Sequence, residues 1–402
     1  MTLFTDGESS LGGASNPSSP STEARAGSAS QVAGSTNQVA GSTNQTGGAT
    51  MTPGNESSNS CDTRVARCPV GTICVSGTCV LKPLCSEMAP QTGPRTFSTG
   101  NGTSAIAVGD WNGDGFADIS TTNSADSTVS VLLACGNGSF APRVDYRVGA
   151  GPGALASCDL NGDFKLDLVS LDLKDETLTA LLNQGDGSFK AKGGAQISSW
   201  GGPQALACAD LNGDRFADLA VIGRGQGAIA VLLGLGDGTF MPRRDYAAGP
   251  TASAIALAIA DVNGDGKPDV VTVAQSNDNV NALLGRGDGT LADPITRHGS
   301  YNDGITTLAV GDLNGDGRAD LGVGDVADRG PAPHFGMMAG NEDGTFGPIV
   351  EQLSPPSVCR VAIGDFNGDA IADLVGLGSV SVRTLLGAPG GLQPTADFKL
   401  TD

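Results

Sequence analysis

Asp110-Trp-Asn112-Gly-Asp114-Gly-Phe-Ala-Asp118 is the first copy of a nine-residue motif with acids at positions one, five and nine and asparagine at position three. Copies of this motif begin at Asp110, Asp159, Asp210, Asp261, Asp312 and Asp365. Their starting points are 49, 51, 51, 51 and 53 residues apart. A nearly fixed period of this length is typical of repeat architectures in which each repeat forms one supersecondary unit.

The motif also accounts for much of the chain's negative charge. The 402 residues include 23 Lys and Arg but 43 Asp and Glu, so the formal net charge is −20. The six motifs contain 18 of these acids, and carboxylates crowded in this way repel one another. Six divalent cations would relieve that repulsion and bring the formal charge to about −8. Such an acidic chain argues against nucleic acid and anionic membranes as partners, because both require basic surfaces.

The residue types in the motif suit a hard divalent cation. Calcium takes about six to eight oxygen ligands, and a tight loop can aim side chains one, three and five at one centre. The carbonyl of position seven and a carboxylate at position nine would complete such a set, whereas an EF-hand closes at position twelve between helices. No His or Cys stands at these positions, which argues against zinc or copper. A single copy is explained equally well as an ordinary turn, but six copies in register favour a metal.

Position six of the motif varies and predicts differences between the six loops. In chain order, its residues are Gly115, Phe164, Arg215, Gly266, Gly317 and Ala370. If the bend there needs a positive φ, the three residues other than glycine carry a steric cost. We expect loops one, four and five to bind calcium most tightly, and loops two, three and six to bind it weakly or to stay empty.

Short apolar or β-branched runs around each motif predict strands. In the first repeat they cover 104–109, 117–122, 128–133 and 142–148, and Gly, Asn, Asp or Pro residues separate them. A glycine turn at 136–140 lies between the third and fourth runs, and its Gly-Asx-Gly pattern fits a hairpin that needs positive φ. We expect the Phe that follows this turn to plug the core. No helix-length amphipathic segment interrupts the repeats.

About 50 residues per four-stranded unit is the size of a propeller blade. Six repeats from about residue 96 to the C-terminus therefore predict an all-β fold, a β-propeller of about six blades. Seven blades are an alternative, because 93–100 resembles the outer-strand segment 141–149 while the C-terminus has its own version at 397–400. One of these segments is surplus in a six-bladed ring. Either one of them closes the ring against the other end, or a partial seventh blade exists.

The chain resembles the FG-GAP/VCBS repeat family, whose calcium-loop propellers are similar to the head of integrin α-subunits. The six Asp-x-Asn-x-Asp loops and the Gly-Asp-Gly-Thr-Phe turns carry this resemblance over about three quarters of the chain. It implies a β-propeller with calcium between the first two strands of a blade, held by side chains one, three, five and nine and carbonyl seven. The ligands that it implies are Asp110, Asn112, Asp114, Phe116, Asp118, Asp159, Asn161, Asp163, Lys165, Asp167, Asp210, Asn212, Asp214, Phe216, Asp218, Asp261, Asn263, Asp265, Lys267, Asp269, Asp312, Asn314, Asp316, Arg318, Asp320, Asp365, Asn367, Asp369, Ile371 and Asp373.

The N-terminal residues differ from the repeats. Residues 1–60 are rich in Ser, Thr, Gly and Asn with almost no apolar content, which predicts a disordered linker. Residues 61–92 contain five cysteines and are too few to build a core, so we expect a small disulfide-rich segment. A zinc knuckle is less favoured, because this segment has no C-x-x-C pair or histidine. The propeller is predicted to occupy 93–402.

Four further cysteines, Cys135, Cys158, Cys208 and Cys359, lie on or beside predicted strands. We expect buried free thiols at these positions, since cysteine packs well as a small apolar residue. The alternative is a bridge between Cys158 and Cys208 that joins adjacent blades.

No catalytic constellation is visible in the sequence. The chain has only two histidines and contains no zincin motif or nucleophile elbow. We therefore expect a non-catalytic, extracellular, calcium-binding propeller that binds a protein or a glycan and serves in recognition or adhesion. A secreted hydrolase or lyase with a site in the propeller channel is one alternative, since carboxylates could supply an acid pair. A structural cell-surface spacer is another.

Calcium also bears on the expected location. Open extracellular modules bind it at about 10⁻⁴–10⁻³ M, a level present outside cells but not in the cytosol. The sequence has no transmembrane run, and its first residues show no basic region followed by an apolar stretch. We expect a monomer, secreted or held at the cell surface, whose export signal is not visible in this sequence.

Overall fold

A computed structural model describes the repeat region together with one short hairpin. The described residues are 72–75, 78–81, 96–197, 202–223, 227–249, 254–274, 279–297, 305–324, 335–351, 358–378, 381–395 and 398–399. The predicted linker 1–60 and the cysteine side chains of 61–92 lie outside this description.

The described residues form 27 β-strands and no helix, which confirms the all-β class. In chain order the strands are β1 (Thr72–Val75), β2 (Thr78–Leu81), β3 (Thr103–Gly109), β4 (Asp118–Asn123), β5 (Thr128–Leu132), β6 (Val144–Arg147), β7 (Pro152–Cys158), β8 (Asp167–Asp172), β9 (Thr177–Asn183), β10 (Phe189–Lys192), β11 (Pro203–Ala209), β12 (Asp218–Gly223), β13 (Ala228–Leu232), β14 (Arg244–Ala247), β15 (Ala254–Ala260), β16 (Asp269–Ala274), β17 (Asn279–Leu283), β18 (Ile295–Arg297), β19 (Thr307–Gly311), β20 (Asp320–Gly324), β21 (Phe335–Gly340), β22 (Phe346–Glu351), β23 (Val358–Gly364), β24 (Asp373–Gly378), β25 (Ser381–Leu386), β26 (Gln393–Pro394) and β27 (Phe398–Lys399). A membrane-crossing helix is accordingly not found in this part of the chain.

Six antiparallel sheets follow one another along the chain, each a meander whose strands pair in sequence order. Blade one is β3–β6, blade two β7–β10, blade three β11–β14, blade four β15–β18, blade five β19–β22, and blade six β23–β26 with β27 also paired to β25. The first strands of successive blades contact one another from β3 through to β23, so these strands lie nearest the axis. The described residues therefore confirm the predicted β-propeller, with six four-stranded blades.

The hydrophobic core lies between the blades rather than within them. Trp111 and Val129 of blade one pack with Leu155 of blade two, and four similar clusters join the later pairs of blades. Buried leucine, isoleucine and valine dominate these clusters, and each such side chain contributes about 1.5–3 kcal/mol when fully removed from water. The alternating apolar runs of the sequence are thus buried by stacking sheet on sheet.

The predicted strands of the first repeat agree with β3 to β6 within two residues. The glycine turns have the positive φ that was expected, for example 73° at Gly136 and 77° at Gly138. The residue that follows the turn is buried in blades two, four and five, where it is Phe189, Leu291 and Phe346, as predicted for a side chain that fills the core. Phe140 and Phe240 are only half buried.

The expectation of free thiols in the repeats is wrong for three cysteines. Cys158, which ends β7, forms a disulfide with Cys208 in β11, with 6.5 Å between the Cα atoms. Cys135 is also disulfide-bonded. The alternation of strand residues brings Cys158 and Cys208 to the facing first strands of blades two and three. Closing a loop of 50 residues in this way lowers the entropy of the unfolded chain by an amount worth about 4 kcal/mol.

Candidate functional site

All six motifs connect the first and second strands of a blade, as Asp110–Asp118 connects β3 to β4. In a meander, this connection lies at the same end as the turn between the third and fourth strands. The motif loops and the glycine turns therefore share one end of the propeller, which we call the loop face. We number the loops one to six with their blades.

The carboxylate at position one organises each loop by accepting three backbone N–H groups. In loop one, Asp110 Oδ1 accepts from the amides of Gly113 (2.8 Å) and Asp114 (3.1 Å), and Oδ2 accepts from Gly115 (2.9 Å). The same three bonds recur in the other five loops. A short acidic side chain that bonds its own following backbone is the reason why Asp starts the turn.

Positions three and five extend the same pattern. Asn112 Oδ1 accepts the amide of Asp114 at 2.9 Å, and Asp114 Oδ1 accepts the amide of Phe116 at 2.9 Å. Equivalent bonds are present in every loop. These contacts fix three predicted ligand side chains of each loop within a single turn of backbone.

Position nine has a role that the sequence did not reveal. The buried Asp118 accepts the amide of Trp111 on Oδ2 (3.0 Å) and the amide of Ala134, just after the third strand, on Oδ1 (2.7 Å). All six position-nine aspartates make this pair of bonds. The residue therefore holds the motif loop against the end of the third strand of its own blade.

Burial raises the pKa of Asp118 to about 6, although the two backbone N–H donors act in the opposite direction. The nearby carboxylates of Asp114 and Asp110 add to the rise. The same effect, with the same leading cause, raises the pKa to about 6 at Asp167, Asp218, Asp269 and Asp320. An ionised carboxylate is thus less favourable at position nine of these five loops than in a solvent-exposed aspartate.

Position six has the backbone conformation that the sequence analysis anticipated. Its φ is 86° at Gly115, 63° at Phe164, 76° at Arg215 and 69° at Ala370. The three larger residues therefore occupy the left-handed region that disfavours side chains. Phe164 is in addition 93% exposed, so no packing contact offsets its strain.

Position seven was predicted only as a carbonyl ligand, but its side chain covers the neighbouring glycine turn. A Cβ atom on Gly136 would lie 2.5 Å from the Phe116 ring, and one on Gly185 would lie 2.7 Å from Lys165 Cε. Blades three and four repeat this contact. The signal in the sequence was the constant spacing between motif and turn, which keeps these two segments in register.

The head group at position seven divides the loops further. Lys165 Nζ lies 2.8 Å from Asp163 Oδ2, and Lys267 Nζ lies 3.4 Å from Asp265 Oδ2, so an ammonium group pairs with position five in loops two and four. In the other four loops, the amide of the position-three asparagine donates to that oxygen instead. Arg318 of loop five pairs with Glu342 rather than with its own loop.

The side chains of a loop offer only oxygen ligands, which is the donor set that calcium prefers. Among the described residues, no three His, Cys, Asp or Glu side chains converge as a preformed metal site. The carboxylate and amide oxygens are instead bonded to backbone amides. Each such oxygen has two lone pairs, and most use only one of them here, so the residues present fit a calcium ion.

Comparisons with known proteins agree with this architecture. The FG-GAP-like repeat family matches residues 159–221, 210–272 and 261–323. No curated protein matches the chain in sequence. An Agrocybe aegerita lectin, solved to explain its recognition of non-reducing terminal N-acetylglucosamine, superposes with a TM-score of 0.54 at 20% identity, covering 74% of this chain and 80% of the lectin. A Bacteroides uniformis protein proposed to be a 6-phosphogluconolactonase gives 0.54 at 18% identity, covering 70% and 82%.

At these identities the two solved structures establish only a shared fold. The family matches are more specific, because they span three consecutive repeats whose loops and turns have the geometry described above. The described residues therefore form a β-propeller, and residues 159–323 contain repeats of the FG-GAP-like family.

Proposed function

We propose that the protein is an extracellular, non-catalytic, calcium-binding propeller whose loop face recognises a protein or a glycan. The observation that carries the proposal is the sixfold recurrence of one loop geometry. In each loop, oxygens of positions one, three and five are fixed within one turn and keep lone pairs for a cation. In loop one, Asp110, Asn112, Asp114 and the Phe116 carbonyl would hold the ion, with Asp118 closing the site from below.

Bound calcium would supply positive charge to a surface that otherwise carries three carboxylates in every loop. Among the described loops, only Lys165 and Lys267 pair with a carboxylate of their own loop, so bound calcium would supply most of the positive charge that the loops lack. The Cys158–Cys208 disulfide supports an oxidising location, and millimolar calcium is likewise found outside cells.

Ligand recognition is assigned to the loop face because of its exposed aromatic residues. Phe116 and Phe164, which are 47% and 93% exposed, both belong to motif loops. Leu235 and Met241, near the glycine turn of blade three, add further exposed apolar surface at the same end. Exposed aromatic and apolar side chains at one end of a protein are typical of recognition surfaces. The lectin with a similar fold makes a glycan one reasonable ligand class.

The calcium assignment is tested by calorimetric titration and thermal melting of the purified chain with and without chelator. At ten times the Kd, each occupied site adds about 1.4 kcal/mol to stability, so chelation should lower the melting temperature by several degrees. The variant Asp114→Asn should remove or weaken one site and leave the others unchanged. An identical melt in both conditions, with no heat of binding at millimolar calcium, would contradict the proposal.

The ligand is then sought on glycan and matrix-protein arrays in the presence of calcium. Saturable binding that is weakened by Phe164→Ala supports recognition through the loop face. No saturable ligand on either array would favour a structural spacer. Turnover of a polysaccharide that is abolished by single Asp→Asn changes outside the motifs would favour an enzyme.

A further inference from the structure

The series of six blades ends in two sheet faces that lack the cover found elsewhere. One residue in each first strand, four positions before the motif, faces the preceding blade. It is at most 3% exposed in five blades, as Leu155, Leu206, Leu257, Leu308 and Val361. The equivalent residue of blade one, Ile106, is 37% exposed.

Blade six shows the matching defect on its opposite face. Position two of the motif is at most 2% exposed in loops one to five, where it packs under the next blade. In loop six the same position, Phe366, is 58% exposed. Leu377 of β24 is 43% exposed, whereas its equivalents Leu171 and Ile222 are fully buried. The described core clusters likewise join blades one to six in five pairs, and none of them joins blade six to blade one.

The residues before β3 show what belongs in this gap. Arg143, which precedes the fourth strand of blade one, donates to Ser98 Oγ at 3.1 Å and to the carbonyl of Thr99. Arg243, in the same position of blade three, donates to the carbonyl of Ile197 at 2.9 Å. Ile197 follows the last strand of blade two. Residues 98–99 therefore lie against blade one as the end of blade two lies against blade three.

Blade six meanwhile has an outer edge of its own. Strands β26 and β27 both pair with β25, so the C-terminal residues complete this sheet. The chain thus has two outer-edge segments, one at each side of the gap, where a closed ring of six blades has room for only one. The gap is a separate blade position whose outer edge is already started by residues 96–100.

We propose that the hairpin of β1 and β2 inserts at this position as part of a seventh blade between blade six and blade one. The order along the chain requires no crossover, because β1, β2 and residues 96–100 follow one another as the second, third and fourth strands of a meander would. The hairpin pairs Thr72 with Leu81 and Val75 with Thr78, so it already has the antiparallel register of a blade. It would cover the apolar faces that Ile106, Phe366 and Leu377 leave open.

The test is photo-crosslinking in the full-length protein, with p-benzoylphenylalanine in place of Leu377. Irradiation should join this position to tryptic peptide 68–95 of the same chain, which contains the hairpin. A mixture of isotopically light and heavy protein distinguishes capture within one chain from capture between two chains. The same photoreactive residue in place of Val350, exposed on the outer strand of blade five, is the control and should not capture peptide 68–95.

An adduct that fragmentation of tryptic peptide 96–143 assigns to β3, which contains Ile106, would show a closed six-bladed ring and overturn the proposal. An adduct within residues 96–100 would support the proposal, because these residues belong to the proposed blade. Capture of a second chain, or no adduct from position 377, would overturn it as well. As a second measurement, Leu377→Asp should increase amide hydrogen exchange in residues 72–81 while β11 to β18 keep their protection. Unchanged exchange in the hairpin would contradict its docking on blade six.

Discussion

Each motif loop has a base and a tip that differ in how strictly they repeat. The base, formed by positions two and nine, makes the same backbone contacts in all six blades. The tip, formed by positions six and seven, has glycine, phenylalanine, arginine or alanine at six and phenylalanine, lysine, arginine or isoleucine at seven. The base therefore belongs to the fold, whereas the tip can vary from blade to blade and, under the proposed calcium binding, would adjust the affinity of each loop.

The largest effect that separates base from tip is expected at position nine of loop four. Asp269→Ala removes the acceptor of the Val262 and Gly285 amides and leaves both N–H groups buried without a partner. Each orphaned group costs about 1–3 kcal/mol, so the free energy of unfolding should fall by about 3 kcal/mol or more even without calcium. Urea unfolding in chelator measures this loss.

The matched control is Asp265→Asn at position five of the same loop. Its side chain is partly exposed, and the substitution keeps an oxygen that can accept the Lys267 amide. Without calcium, the free energy of unfolding should stay within about 0.5 kcal/mol of the parent value. Equal losses for the two variants would refute the distinction between base and tip.

The pH dependence of stability should also originate in the base. Because burial raises the folded-state pKa of Asp269 from 3.8 to about 6, the folded protein holds this proton more tightly than the unfolded chain. The resulting stabilisation is complete below pH 3.8 and is lost as the pH rises through about 6. Four other position-nine aspartates behave alike, so the calcium-free melting temperature should fall over this range.

Calcium should offset that loss, since the cation favours the ionised carboxylates. Melting curves between pH 4 and pH 7, recorded after calcium removal and again with millimolar calcium, measure the difference between the two profiles. Asp269→Asn should reduce the slope of the calcium-free profile by about one fifth, because four position-nine carboxyls with raised pKa values remain. A calcium-free melting temperature that rises throughout this range would show that the position-nine carboxyls do not control it.

A smaller effect is expected from relieving strain at the tip of loop two. Phe164→Gly replaces an exposed residue at φ 63° with one that tolerates this conformation, which should stabilise the protein by about 1 kcal/mol and strengthen calcium binding there. The reciprocal change Gly266→Ala in loop four should act in the opposite direction. Chemical unfolding measures the stability of both variants, and calorimetry measures their calcium binding. If both variants changed the free energy of unfolding in the same direction, backbone strain at position six would not be the cause.

The smallest effect is expected from the head group at position seven. Lys267→Met keeps an apolar stem over Gly287 but removes the ammonium that pairs with Asp265, so loop four should bind calcium about two- to fivefold more tightly. Lys192→Met is the matched control, because Lys192 pairs with Asp237 of a glycine turn. If both variants gave the same increase in equilibrium dialysis, net charge and not the local pair would be responsible.

The fold could be predicted from the sequence because the same pattern of motif, strands and glycine turn recurs in each repeat. One copy of Asp110–Asp118 resembles an ordinary turn, but six copies with strand-like flanks define blades, and the positive φ at Phe164 followed from comparison with Gly115. The partners of Asp118 could not be predicted, because a sequence shows that an acid is present but not which amides its two oxygens meet. That contact depends on the register between the loop and the third strand. The Cys158–Cys208 disulfide was predicted only as the alternative to free thiols, for a similar reason. The local sequence does not show that two positions on separate sheets face each other.

The cross-link between blades two and three has a mechanical consequence. If the ends of the chain were pulled apart, the 50 residues from Cys158 to Cys208 could not lengthen while the bond is intact. At about 3.4 Å per residue, roughly 170 Å of contour would be withheld from extension. With Cys135→Ser removing the other disulfide of the repeats, a single-molecule force trace under oxidising conditions should therefore be shorter by that length than the trace of a variant that also carries Cys158→Ser and Cys208→Ser.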